Sequence, residues 1–417
     1  MVIAGAGPAG AALALLLARR GVPLTLVEAS PSSARQFRGE ALMPSGLAAL
    51  AAMGLLPLDA SIAQRPLTGW AFWANGQQLF QVAEPMGSER PCTLVDQEAL
   101  LDWLLEQVHR QSGVRVLRGR PIVAPLLSDE LNGERVVGVE LDDGTRVRGE
   151  LVVACDGRAS LLRRKAGMEL KLQGEPLDVR WFRLSSAAAD DPLARWLRGQ
   201  FVTVLGGGDS FALYASVYGG VQLGWLQDPA QAVPATTADW RERWAQASPT
   251  PLATLLRACP LEAIQGPVRL PVQVGHLENW WQPGLLLLGD AAHPMSPLRA
   301  QGINMALRDA LVAARHLLPA LGKAGSADLD QALAAISAER QIEIRRIQAS
   351  QAQELARAEL LRRNGWLRQL LATSAGWSGP LLSQRWQASQ TLLRQGCAAT
   401  DLTIPDAAMM DGFAASA

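Results

Sequence analysis

Apolar and polar positions alternate in two rhythms along this chain, and the rhythms mark its elements. Residues 1–4 form an unbroken apolar run, residues 5–10 a glycine-punctuated turn, and residues 11–20 an apolar-faced helix stopped by Gly21. A second buried run at 24–27 closes on Glu28, which completes the strand, turn and helix opening of a βαβ unit. Helical spacing returns at 45–54 and 96–111, and strand spacing around 70–80, 114–117 and 136–141. Asp142-Asp143-Gly144-Thr145 reads as a hairpin turn into 146–149. Two further apolar runs, 151–155 and 285–288, each deliver an acid: Asp156 followed by Gly157, and Asp290 preceded by Gly289. Between them, residues 177–227 alternate and carry Trp and Phe, the pattern of an antiparallel sheet with one face on a cavity. From Gln301 the chain is helical almost to its end. The fold class expected is α/β: a Rossmann-like domain, an inserted mixed or antiparallel β-sheet domain for substrate, and a helical C-terminal region.

Composition narrows the function. The 417 residues carry 39 basic and 39 acidic side chains, so no basic field draws nucleic acid. Three of those cations are lysines (Lys165, Lys171 and Lys323) and the rest are arginines. The four cysteines are far apart, which argues against a zinc ribbon or a disulfide scaffold, and no metal-ligand spacing is seen. The apolar N-terminus has its charges, Arg19 and Arg20, after the run and glycines inside it, unlike a secretory leader. A cytoplasmic protein without a membrane span is expected.

Gly5-Ala6-Gly7-Pro8-Ala9-Gly10 is GxGxxG between strand and helix. Such glycines allow a tight turn, backbone approach to a pyrophosphate and close helix packing, and the helix N-terminus favours the anion. Glu28, at the end of the second strand, can accept ribose hydroxyls. These residues do not say which dinucleotide.

The ordered trio of GxGxxG, Asp156-Gly157 and Gly289-Asp290-Ala291-Ala292-His293-Pro294, followed by Gln301-Gly302-Ile303-Asn304, resembles the aromatic-hydroxylase family of flavoprotein monooxygenases, the para-hydroxybenzoate hydroxylase type. The resemblance covers about residues 1–320. It implies FAD contacts at Gly5, Gly7, Pro8, Ala9, Gly10 and Glu28, with Arg38 near the phosphates and Gln97 against the cofactor. It also implies Asp156 near FAD and pyridine nucleotide, Gly289 and Asp290 on the ribityl chain, and Pro297, Gln301, Gly302, Ile303 and Asn304 at the isoalloxazine ring. A helix start there would stabilise the reduced flavin anion. The implied FAD-binding domain is 1–66, 91–170 and 268–322; the substrate domain is 67–90 and 171–267; the helical region is 323–417. The activity implied is NAD(P)H- and O2-dependent oxygenation of an aromatic or polycyclic small molecule through a flavin C4a-hydroperoxide, with NAD(P)H bound only transiently. Ala300 stands where the family has glycine, and Leu298-Arg299 where it has small residues. Both would narrow the ring site and bear on turnover more than on FAD binding.

His293 and Tyr214 are the catalytic candidates, although a turn role for the first and sheet packing for the second are the plainer readings. Tyr214 and Tyr218, four apart, would share one face of a strand. Trp73, Trp181 and Trp225 could line an apolar substrate pocket. The C-terminal helices read as a cap or a dimer face in a monomer or homodimer, with membrane contact through them not favoured. Three alternatives remain. An isoprenoid double-bond reductase shares the GxGPAG opening. A flavin halogenase would need a lysine in its N-terminal part, and none precedes Lys165. A catalytically impaired FAD-binding homologue would fit Arg299 and Ala300.

Overall fold

The computed structural model describes residues 1–33, 39–128, 135–185, 191–321, 326–398 and 400–403. Its first sheet has six strands in the order Trp281–Gln282, Leu285–Leu287, Val152–Ala154, Val2–Ala4, Leu24–Glu28 and Val114–Arg118. All neighbours are parallel except the antiparallel edge strand Trp281–Gln282. The parallel strands Val2–Ala4, Val152–Ala154 and Leu285–Leu287 are buried on both faces, as their unbroken apolar runs require. Pro8–Ala18 forms the first helix, three residues earlier than its apolar pattern predicts. Pro8 at its first turn accounts for this, because a fixed φ and a missing N–H suit that position.

The parallel register decides where the chemistry lies. Val2 pairs with Thr25 on one side and Val152 on the other, and Val152 pairs with Leu285. The strands ending at Ala4, Glu28, Ala154 and Leu287 therefore finish at one edge of the sheet, where open α/β sheets bind ligands.

A second sheet has seven strands in the order Ile264–His276, Lys171–Leu184, Val221–Leu226, Asp209–Ala215, Gln200–Gly206, Gly69–Ala74 and Gln77–Ala83. It is antiparallel except where Gln200–Gly206 runs parallel to Gly69–Ala74, so the expected mixed sheet is present. Asn75 and Gly76, at φ +45° and +79°, make the tight turn joining its last two strands. Phe182, Trp225, Trp240 and Trp244 pack together against it, and Trp225 also lines the cavity that the sheet covers, as expected.

Three helices complete the fold. Gln301–Leu321 packs on the first helix, Ser326–Arg363 (the long helix) packs on Gln301–Leu321, and Gly365–Gln395 (the closing helix) lies on strand Gln77–Ala83. Among the described residues, no helix is long and apolar enough to cross a membrane.

Candidate active site

The glycine turn is packed for close approach. Gly5 has φ +96°, and a Cβ there would fall 2.4 Å from the Cys155 carbonyl oxygen. A Cβ on Gly10 would fall 1.9 Å from the Gly5 oxygen, so turn and helix touch backbone to backbone. Gly7 has nothing within 4 Å, which leaves its face open to a ligand. Glu28 Oε2 accepts from the Ala6 amide at 2.7 Å and Oε1 from the Ser30 amide at 2.8 Å, fixing the carboxylate beside the turn. Asp156 Oδ2 accepts from the amides of Leu161 and Leu162, whereas its buried Oδ1 has no partner among the described residues. Asp290 is paired with Arg158 at 2.9 Å, and a Cβ on Gly302 would lie 3.8 Å from its Oδ1. An open glycine face and an unpaired carboxylate oxygen at the ends of adjacent strands fit a dinucleotide rich in hydroxyls.

From this edge a cavity of about 1560 Å³ runs under the seven-stranded sheet. That exceeds the roughly 300–1,000 Å³ of a single-ligand pocket, so it has room for cofactor and substrate together. Gly5, Gly7, Pro8, Ala9, Glu28, Gln97, Asp156, Gly289, Asp290, Pro297, Gly302 and Ile303 line it. Beyond the Pro297–Ile303 loop, its wall is aromatic: Trp70, Phe72, Phe80, Trp181, Phe201, Tyr214 and Trp386.

Several expected residues stand elsewhere. Gly10 serves helix packing and does not line the cavity. Gln301 is fully buried and turned away, its Nε2 donating to the carbonyls of Arg299 and Leu393. Asn304 clamps neighbouring backbone, accepting from the Met43 amide at 2.9 Å and donating to the Ala300 carbonyl at 2.7 Å. For both residues the side chain is used inside the fold, which leaves the backbone amides of the helix start for the expected ring contact. Arg38 lies outside the described residues.

His293 is also removed from the cavity. It is fully buried against Trp280, and its Nε2 meets Asp309 Oδ2 at 2.6 Å. The same carboxylate accepts from the Gly289 amide at 2.9 Å and from Arg340 at 2.7 Å. Burial works against an ionised Asp309, but the charges of His293 and Arg340 win and hold it below the usual carboxylate range. The array continues from Arg340 to Glu343 and on to Arg308 and the Cys397 amide. Through Asp309, His293 is tied to the Gly289-Asp290 turn, a turn and packing role away from the cavity.

The tyrosines part company as well. Tyr214 is on strand Asp209–Ala215, buried at the cavity wall and stacked on Phe201 at 5.4 Å. Tyr218 lies past the strand in a turn, so the shared face does not form, and its hydroxyl donates to Asp96 Oδ1 at 2.8 Å. Trp181 lines the cavity over Gly224, where a Cβ would come within 2.8 Å of its ring. Trp73 packs instead on Trp196 and takes no part in the lining.

Three features escaped the sequence reading. Glu40, almost wholly buried at the cavity, accepts from Ser216 Oγ at 2.6 Å, Val217 N at 2.9 Å and Gln222 Nε2 at 3.2 Å. Burial raises its carboxyl above the usual range despite those donors. Arg299 adopts φ +58° and Ala300 φ +49°, conformations the family's glycine would take without strain. The guanidinium of Arg299 sits over Trp70 at 4.7 Å, Trp386 at 5.0 Å and Phe72 at 5.7 Å, and its Nε donates to Glu354 at 2.9 Å. This box offsets the strain and ties the ring loop to the sheet and both C-terminal helices. The third feature follows from it: the C-terminal region supplies cavity wall through Glu354, Leu361, Leu382 and Trp386.

Fold, strand-end acids and a cavity for two ligands define a flavin-dependent oxidoreductase of the aromatic-hydroxylase type. The FAD binding domain family matches residues 1–343, and the chain belongs to it. The chain is 34% identical over 321 residues to 6-methylpretetramide 4-monooxygenase of Streptomyces rimosus, covering 75% of this chain and 73% of that one. It is 26% identical to 3-hydroxybenzoate 6-hydroxylase 1 of Aquipseudomonas alcaligenes, over 76% of this chain and 80% of the relative. Among solved structures, p-nitrophenol 4-monooxygenase of Pseudomonas putida superposes with TM-score 0.73 at 19% identity, over 95% of this chain and 98% of that one. A Klebsiella pneumoniae protein complexed with FAD superposes with TM-score 0.69 at 20% identity, over 95% and 98%. The chain is therefore an FAD-dependent monooxygenase, and the reductase and halogenase alternatives lose their footing as its class.

Proposed function

We propose that this enzyme hydroxylates a flat, apolar, polycyclic phenol, with NADH or NADPH as transient electron donor and O2 as oxygen source. The supporting observation is the aromatic wall of Trp70, Phe72, Phe80, Trp181, Phe201, Tyr214 and Trp386, which continues directly from the ring loop. So large an apolar surface favours ring systems over small, charged phenols. The chemistry FAD supplies when bound is hydride acceptance and oxygen activation. Gly5, Gly7, Glu28, Asp156 and Asp290 would hold it, and the amides opening helix Gln301–Leu321 would face its ring. Arg299 keeps that loop seated, and the apolar wall excludes water from the reacting edge. The setting we favour is the cytoplasm, where nicotinamide coenzymes are supplied, with the enzyme as a monomer or homodimer.

Reconstitution with FAD, followed by NAD(P)H oxidation with an anthracenol or with 4-hydroxybenzoate, tests this reading. Faster oxidation and an oxygenated product with the anthracenol are expected. Oxygenation confined to 4-hydroxybenzoate would overturn the polycyclic reading.

A further inference from the structure

We propose that the outer face of the closing helix, Gly365–Gln395, docks on an anionic lipid surface. Its inner side is fully engaged: it lies on strand Gln77–Ala83, and a Cβ on Gly379 would fall 2.8 Å from the Leu79 carbonyl oxygen. The outer side is what a water-facing helix should not show. Trp366 is 73% exposed, Leu370 46%, Trp377 79% and Leu381 49%. Spacings of four, seven and four residues put them on one face. Apart from Arg385, the exposed positions among and beyond them, Gln369, Thr373, Gly376, Pro380, Gln384 and Ala388, are uncharged. A solvated helix usually carries its charges on this side, and contiguous exposed apolar surface marks an interaction site.

Charge selects the occupant. The closing helix contains no Asp or Glu in its 31 residues. Arg385 on this helix and Arg357 and Arg363 near the end of the long helix are exposed, Arg357 and Arg385 at the rim of the cavity, which they also line. Arg357 and Arg385 have no carboxylate partner among the described residues, whereas Arg363 shares Glu359 with Arg362. A second copy meeting this face across a two-fold axis would set arginines against arginines with no free acid between them. An anionic bilayer matches every part: indoles at the headgroup level, leucines at the acyl boundary, guanidinium groups on phosphates. Leu382 and Trp386 line the substrate cavity from the inner side, and Arg357 and Arg385 line it at the rim, so a bilayer on the outer face would lie within about one helix diameter, roughly 10 Å, of it. On the polycyclic reading above, that places the enzyme where an apolar substrate dissolves; the docking itself does not depend on that reading.

The full-length FAD-loaded protein is mixed with vesicles of equal parts phosphatidylglycerol and phosphatidylcholine, or of phosphatidylcholine alone, and binding is read by flotation and tryptophan emission. We expect a blue shift with the anionic vesicles and binding at least about tenfold weaker on phosphatidylcholine. The W366S/W377S double variant should lose about tenfold or more of the anionic binding while keeping its FAD content and vesicle-free NAD(P)H oxidation. Absence of binding to anionic vesicles, or equal binding by the double variant, overturns the proposal. A dimer in sedimentation that the double variant abolishes would assign the face to a second copy instead. Because partition is read without turnover, its failure leaves the hydroxylase reading standing, and failure to oxygenate leaves the docking result intact.

Discussion

Glu40 is a carboxylate that burial pushes toward its acid form while Ser216, Val217 and Gln222 donate to its oxygens. A carboxyl raised in the fold stabilises it fully below its unfolded pKa, and that contribution is lost as pH rises through the folded value. The thermal midpoint should therefore fall on this limb in the parent protein and fall less in E40Q; parallel curves would show that Glu40 does not set the slope. Arg299 is expected to resist conservative replacement. R299A leaves the Glu354 carboxylate without a counter-charge in a nearly buried site, held only by Gln390, and should cost about 3 kcal/mol in denaturant unfolding. R299K should restore little, because an ammonium cannot present a planar fork to three rings and a carboxylate. Gly10→Ala places a methyl group 1.9 Å from the Gly5 oxygen, and FAD occupancy by absorbance should drop at least about tenfold.

Elements show which parts of the site the sequence could reveal. Glycine spacing, apolar runs and the acids closing them are local, so the turn at Gly5–Gly10 and the strand ends at Asp156 and Asp290 were legible. Which side chains reach the ring was not. Gln301 and Asn304 have the residue types the resemblance leads one to expect, yet Leu393 and Met43, far away in sequence, claim them. Glu40 and Trp386 carry no local signal, because the contacts that give them meaning come from Ser216 and Phe72. The two tyrosines separated because the strand ends at Ala215, one residue after Tyr214. The closing helix should accordingly act on specificity: W386A removes one ring from the box and the cavity wall. Its KM for a polycyclic phenol should rise at least about tenfold with FAD content little changed, as steady-state kinetics would show.

At the scale of the whole molecule, the Gly289-Asp290 turn is held by Asp309, which reaches Arg340, Glu343 and the Cys397 amide. Asp309 is ionised below the usual range, so its contribution is complete above the unfolded pKa of about 3.9 and is lost as pH falls through the folded value. D309N should remove that acid limb and release FAD more readily at neutral pH, measured by flavin fluorescence on dilution.

This arrangement also sets the order in which a newly made chain can mature. The central strand Val2–Ala4 leaves the ribosome ahead of its sheet partners, and its neighbour Val152–Ala154 and the next strand, Leu285–Leu287, follow far behind. Glu343 and Cys397, which complete the array behind the cofactor turn, come later still. At roughly 5–20 residues per second, the N-terminal glycine turn waits many seconds for the rest of its own binding site. Cofactor capture should thus be a late event in synthesis, and chains arrested after Leu321 should emerge without flavin.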